Sequence, residues 1–80
     1  MPVILNVGAL KFFFYSNEGN PVKAPHIHVR GSGGEAKISL TEPHRVLLNQ
    51  GYSAAELRRI RDIVMDNRDT LMEAYNGYFA

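Results

Sequence analysis

The sequence predicts a two-layer α+β domain, a three- or four-stranded antiparallel sheet with one long C-terminal helix packed on one face. Three observations predict it. Composition changes once, near Gly51: up to and including that residue lie all four prolines, all three histidines and six of the seven glycines. Two segments before that point, His26–Arg30 and Glu35–Leu40, alternate apolar and polar residues with the period of a strand. Beyond it, apolar residues recur at helical spacing. The reading is a single domain over residues 1–80, β-rich over 1–50 and helical over about 53–76.

The first secure strand is Leu10–Tyr15, where four consecutive aromatics (Phe12, Phe13, Phe14, Tyr15) demand burial on at least one face. Val3–Val7 reads as an earlier strand, with Asn6 and Gly8 at the bend. Ser16–Ala24 carries Asn, Gly and Pro and reads as a loop. The next two strands flank Gly31-Ser32-Gly33-Gly34, a loop free to take positive φ. Counting outward pairs Arg30 with Glu35, Val29 with Ala36, His28 with Lys37, Ile27 with Ile38 and His26 with Ser39. This register collects the apolar residues on one face and the polar ones on the other, and a slip of one residue mixes them. Pro43 ends the second strand. Periodicity leaves Arg45–Asn49 open between a short fourth strand and a turn of helix.

Ser53-Ala54-Ala55-Glu56 is a capping box. The helix continues through Leu57, Ile60, Ile63, Val64, Leu71 and Tyr75, and Asn76-Gly77 is a stop signal. From Ala54 to Tyr75 such a helix runs about 33 Å, whereas a six-residue strand spans about 20 Å. Either the helix breaks near Asp66-Asn67, or one end overhangs and carries Leu71, Met72, Tyr75, Tyr78 and Phe79 into solvent unless something covers them. An overhang predicts homodimerisation or a protein partner. The expected core is Phe12 and Phe14 (or their alternates Phe13 and Tyr15), Ile27, Val29, Ala36, Ile38, Leu40, Leu57, Ile60 and Val64.

Eighty residues with no cysteine exclude a disulfide scaffold, a thiol nucleophile and a Cys-ligated metal. The net charge of +1 makes any basic surface a local one. No apolar stretch approaches the roughly 18–20 residues of a membrane span, and nothing near Met1 resembles an export signal, so a cytoplasmic protein without membrane contact is expected.

Chemistry-bearing residues concentrate on the polar face of the hairpin. His26 and His28, two residues apart on a strand, point the same way, and the register adds Arg30, Glu35, Lys37 and Ser39. Lys11, Phe13 and Tyr15 join if their strand is in phase. One reading is a His-x-His metal site, with His44, Glu35 or Glu18 as the third ligand, although Lys37 opposite His28 repels a cation. Another is phosphate or RNA chemistry without metal or other cofactor, using the histidines as acid and base. Lys37 and Arg30 then hold phosphate, and Tyr15 stacks on a base. The plainest reading is a solvated face with ordinary cross-strand pairs. Elsewhere, Arg58, Arg59 and Arg61 are interleaved with Glu56, Asp62 and Asp66, which reads as a solvated helix face. The glycine-rich loop reads as a hairpin connection, and the stripe Met65, Leu71, Met72, Tyr75 as core or interface.

Phe12-Phe13-Phe14-Tyr15-Ser16-Asn17-Glu18, then Pro25-His26-Ile27-His28-Val29, then Glu35-Ala36-Lys37, then Gly51-Tyr52 and the long helix ending in an aromatic, resemble the small bacterial domain-of-unknown-function family 4160 over roughly Leu10 to Phe79. The resemblance implies a small intracellular protein, encoded beside another small protein in arrangements like toxin–antitoxin pairs. It implies shared polar residues at Ser16, His26, His28 and Lys37. The resemblance also implies that many relatives carry a histidine in the loop near where this chain has Gly19, a departure that weakens a three-histidine metal site here, and that many carry tryptophan where it has Tyr75. The combined expectation is a toxin–antitoxin-type component acting on RNA, a metal-independent ribonuclease in its catalytic form. His26, His28 and Lys37 are its catalytic candidates, and Arg30, Tyr15 and Ser16 its substrate contacts. The alternatives are a non-catalytic protein-binding module, working as a homodimer or with a small partner encoded nearby, and a His-x-His metal protein.

Overall fold

The computed structural model describes residues 3–15 and 24–79. Five strands form one antiparallel sheet in the order of the chain: β1 Val3–Val7, β2 Leu10–Phe13, β3 His26–Gly31, β4 Gly34–Ser39 and β5 Val46–Gln50. Two helices follow, α1 Ala54–Asp66 and α2 Arg68–Phe79. The α+β class is as the sequence reads. The sheet has more strands than the three or four expected, because Val3–Val7 pairs with β2 and Val46–Gln50 with β4. The single long helix is also corrected to two.

The β3–β4 register is the one obtained by counting, from His26 opposite Ser39 to Arg30 opposite Glu35. Pairing continues to Gly31 opposite Gly34, so the loop shrinks to Ser32 and Gly33, both at positive φ (53° and 82°). That is the backbone of a type I′ turn, whose twist matches the flanking strands. Gly31 is needed for closeness as well as shape, and Gly34 for closeness. A Cβ on Gly31 (φ 142°) runs into the Ala9 carbonyl, and one on Gly34 lies 2.7–2.9 Å from the Tyr52 ring. The β1–β2 bend falls at Gly8 and Ala9.

The core lies between the sheet and the helices and contains Phe12, Phe14, Ile27, Val29, Ala36, Ile38, Leu40, Ile60 and Val64, with Leu57 packed against it. Tyr52 joins this core and gives its hydroxyl proton to the turn carbonyls, Gly31 O at 2.7 Å and Gly34 O at 3.0 Å. It thus ties the approach to α1 to the hairpin tip. The capping box forms as read: the Ser53 hydroxyl accepts from the Glu56 amide at 3.1 Å, and the Glu56 carboxylate accepts from the Ser53 amide at 2.9 Å.

The helical stretch breaks at Asn67 (φ −114°, ψ 17°), whose amide donates to Ile63 O and whose side-chain amide also donates to Ile63 O at 2.8 Å. A side chain that competes for a carbonyl of the preceding turn offers the backbone a non-helical alternative. Of the two outcomes that the helix length allowed, a break near Asp66-Asn67 or an overhang, the structure takes the break. Leu71 and Tyr75 are buried, and Met72 and Phe79 pack against the core. The rings of Tyr75, Phe79 and Tyr78 lie 5.4, 5.8 and 6.2 Å from Phe14. Of the five residues that an overhang carries into solvent, only Tyr78 is exposed. Among the described residues, no helix is long and apolar enough to cross a membrane.

Candidate functional site

The strand register assembles the polar face. Lys11 lies opposite Arg30 and Phe13 opposite His28, so β2 is in phase with β3, and Lys11, Phe13 and Tyr15 share the face. One row runs Phe13, His28, Lys37, Leu48 across four strands, and the next runs Lys11, Arg30, Glu35, Gln50.

The centre of this face is dry, which corrects the expectation of a solvated surface. His26 and His28 are 4% and 5% exposed and Phe13 1%. Aromatic rings pack against it. His28 stacks on Phe13 at 5.6 Å and meets the edge of Tyr15 at 4.5 Å, while Phe13 meets Tyr15 at 5.1 Å. His26 lies 5.2 Å from His28 and 6.5 Å from Tyr75. The alternation that sorted Phe12 and Phe14 to one side left Phe13 on the other, and both sides of this strand are buried. The His26 Nδ1 lies 3.0 Å from Ala24 O. With that proton donated to the carbonyl, the basic nitrogen of the neutral ring is Nε2.

The rim is charged. Arg30 pairs with Glu35 at 3.1 Å and donates to the Tyr15 hydroxyl at 2.9 Å, which in turn donates to Glu35 at 3.4 Å. The Arg30 guanidinium also lies 5.5 Å over the Phe13 ring, a cation–π distance. Glu35, read only as a cross-strand pair or a metal ligand, therefore orients two of the three candidate substrate contacts, Arg30 and Tyr15. Lys37 is half-buried on β4 between His28 and Leu48. The structure thus brings together Tyr15, His26, His28, Arg30 and Lys37. Ser16 lies outside the described residues.

For a metal, the arrangement offers two imidazoles. Among the described residues no three His, Asp or Glu side chains group closely enough to hold an ion. Glu18 lies outside those residues. His44 is buried between β4 and α1: its Nδ1 lies 3.0 Å from Ser39 O, and its carbonyl accepts from Arg61 Nε at 2.9 Å. This contact also gives Arg61 a role that a solvated helix face did not anticipate. Tyr52 was missed as an anchor, since one aromatic before a helix cap carries no signal of the carbonyls it will reach.

A family described as a domain of unknown function (DUF4160) matches residues 10–76, and the chain belongs to it. Neither a curated protein nor a solved structure matches the chain.

Proposed function

We propose that this member of the DUF4160 family is a toxin–antitoxin-type component that cleaves RNA through the His/Lys polar face of the β3–β4 hairpin, without a metal. The observation that carries the reading is the juxtaposition of two imidazoles 5.2 Å apart with a phenol ring 4.5 Å from one of them, ringed by Lys37 and Arg30. Such a group contains a base, an acid, a phosphate clamp and a stacking surface.

In the reaction, one imidazole takes the proton of a ribose 2′-hydroxyl. The 2′-oxygen attacks phosphorus and the bond from phosphorus to the 5′-oxygen breaks. The other imidazole gives its proton to that leaving oxygen. The products are a 2′,3′-cyclic phosphate and a 5′-hydroxyl. Lys37 stabilises the charge that grows on the phosphoryl oxygens, and Arg30 joins it by exchanging Glu35 for phosphate. Tyr15 stacks on the neighbouring base. The burial of both histidines means that a strand of RNA enters by displacing the Tyr15 ring.

That same burial favours a second reading. Histidines nine-tenths buried among rings also serve as scaffold, and the protein then works as a non-catalytic binding module, the antitoxin-like half of a pair. Induced expression in a bacterial host separates the two. The catalytic reading expects wild-type protein to slow growth, His28→Ala and Lys37→Ala to relieve it, and co-expression of the neighbouring gene product to suppress it. Equal slowing by all three proteins, or no effect of the wild type on growth or RNA, defeats it. A stable complex with the neighbour that survives His26→Ala supports the binding module.

A further inference from the structure

Among the described residues, the longest run of exposed apolar side chains lies on the last strand of the sheet. Every residue of β5 is exposed, and Val46, Leu47 and Leu48 retain 37%, 51% and 37% of their accessible surface. One side of β5 pairs with β4, and the other is the rim of the sheet. The opposite rim, β1, has no charge or proline within it, but there Ile4, Leu5 and Val7 pack against the core, and Val3 alone of its apolar residues is exposed. Solitary proteins guard such a rim with a charged residue or a proline within the strand. Val46-Leu47-Leu48-Asn49-Gln50 has neither. Three consecutive apolar residues beside a row of outward-facing backbone donors and acceptors form a surface built to be paired.

We propose that a second copy of this chain pairs with β5, antiparallel, about a two-fold axis through Leu48. The two five-stranded sheets then join into one continuous sheet. Residue numbers decide the facing pairs: Leu48 meets Leu48, Leu47 meets Asn49, and Val46 meets Gln50. Arg45, the charge that flanks the strand, meets Gly51. The strand is thus compatible with itself, since no like charges face one another, which is the requirement an isologous interface imposes. The next cations inward are the two Lys37 side chains, each one strand removed from Leu48. Three strand spacings separate them, about 14 Å, beyond a Debye length of about 8 Å at physiological salt.

The axis stands perpendicular to the sheet, so both polar faces look the same way. The row Phe13, His28, Lys37, Leu48 continues across the axis into its mate. The two His28 residues then lie five strand spacings apart, about 24 Å. The pairing itself is independent of whether that face cleaves RNA.

Sedimentation velocity of the untagged full chain, over about 1 to 100 µM, tests the proposal. Wild type is expected to sediment at twice its 9.0 kDa mass. Leu48→Lys and Leu48→Glu each place like charges on the axis and are expected to weaken the dimer at least tenfold. Mixing the two variants is expected to restore it, because the charges then complement each other. A circular dichroism spectrum like that of wild type and a cooperative urea transition show that both variants fold, at a midpoint lowered by the lost association. Val3→Lys, on the other rim, is expected to stay dimeric. A wild type that sediments at 9.0 kDa throughout, a Leu48→Lys protein as dimeric as wild type, a mixture that stays monomeric, or loss of the dimer in Val3→Lys overturns the proposal.

Discussion

Tyr52 shows how much one side chain does in a chain of this size. It fills the space that Gly34 leaves and donates to two carbonyls of the hairpin tip. Tyr52→Phe keeps the ring and removes the donor, stranding two acceptors in a mostly buried place. The expected cost is about 1–2 kcal/mol in urea unfolding. Burial, then the charges of Glu56 and Glu35, raise the Tyr52 phenol above its ordinary 10.0. The unfolded chain therefore ionises first. The contribution of Tyr52 is full below pH 10.0, declines above it, and is lost as pH rises through the raised folded value. The alkaline limb of stability against pH is expected to be shallower in Tyr52→Phe. Glu56 works in the opposite sense. Its hydrogen bonds from Ser53 lower its carboxyl below the usual 4.5. Its contribution is present above pH 4.5 and is lost as pH falls through the lowered folded value. Ser53→Ala removes the cap and is expected to cost about 1 kcal/mol at neutral pH in the same assay.

Among the elements, the hairpin was legible in full because two independent signals agreed. Strict alternation set the faces, and a run of glycines set the turn, so a single register survived counting. Ser32 is the residue in that turn least suited to its φ of 53°. Ser32→Asn supplies the Asn-Gly pair that a type I′ turn prefers, and is expected to raise stability by about 0.5 kcal/mol. The edge strands were less legible. Val46–Gln50 contains three apolar residues in a row, and its bulge against Lys37 and Ile38 breaks the alternation that marks a strand. The helix break was anticipated from length alone, since local sequence around Asp66-Asn67 carries no proline. Its consequence is testable at Leu71, which the break turns into the core. Leu71→Ala is expected to cost about 3 kcal/mol in chemical denaturation. An overhanging helix predicts almost no change.

For the whole molecule, a chain of 80 residues whose described part holds five strands and two helices has little interior to spare. The chain answers by burying both sides of its central aromatics. Phe12 and Phe14 face the helices, while Phe13 lies beneath Tyr15 and Arg30 with His28 stacked against it. The sequence announced which residues share the polar face, because strand period decides that. It did not announce that the histidines there are buried. The rings of Tyr15 and Tyr75 lie against them from distant positions, and alternation says nothing about what packs on a face. The catalytic account needs that packing to open, since two imidazoles at 4% and 5% exposure reach no substrate while it is shut. Tyr15→Ala removes the lid and the stacking ring together, so in the catalytic account it weakens RNA binding while leaving the acid–base pair in place.

The claim that the His26–His28 pair performs acid–base chemistry on RNA is tested most directly with purified protein and a short single-stranded RNA in the presence of a metal chelator. The account predicts cleavage to 2′,3′-cyclic phosphate and 5′-hydroxyl ends, reduced at least about 100-fold by His28→Ala with the fold intact. An intact RNA under those conditions, or cleavage that His26→Ala and His28→Ala leave unchanged, contradicts it.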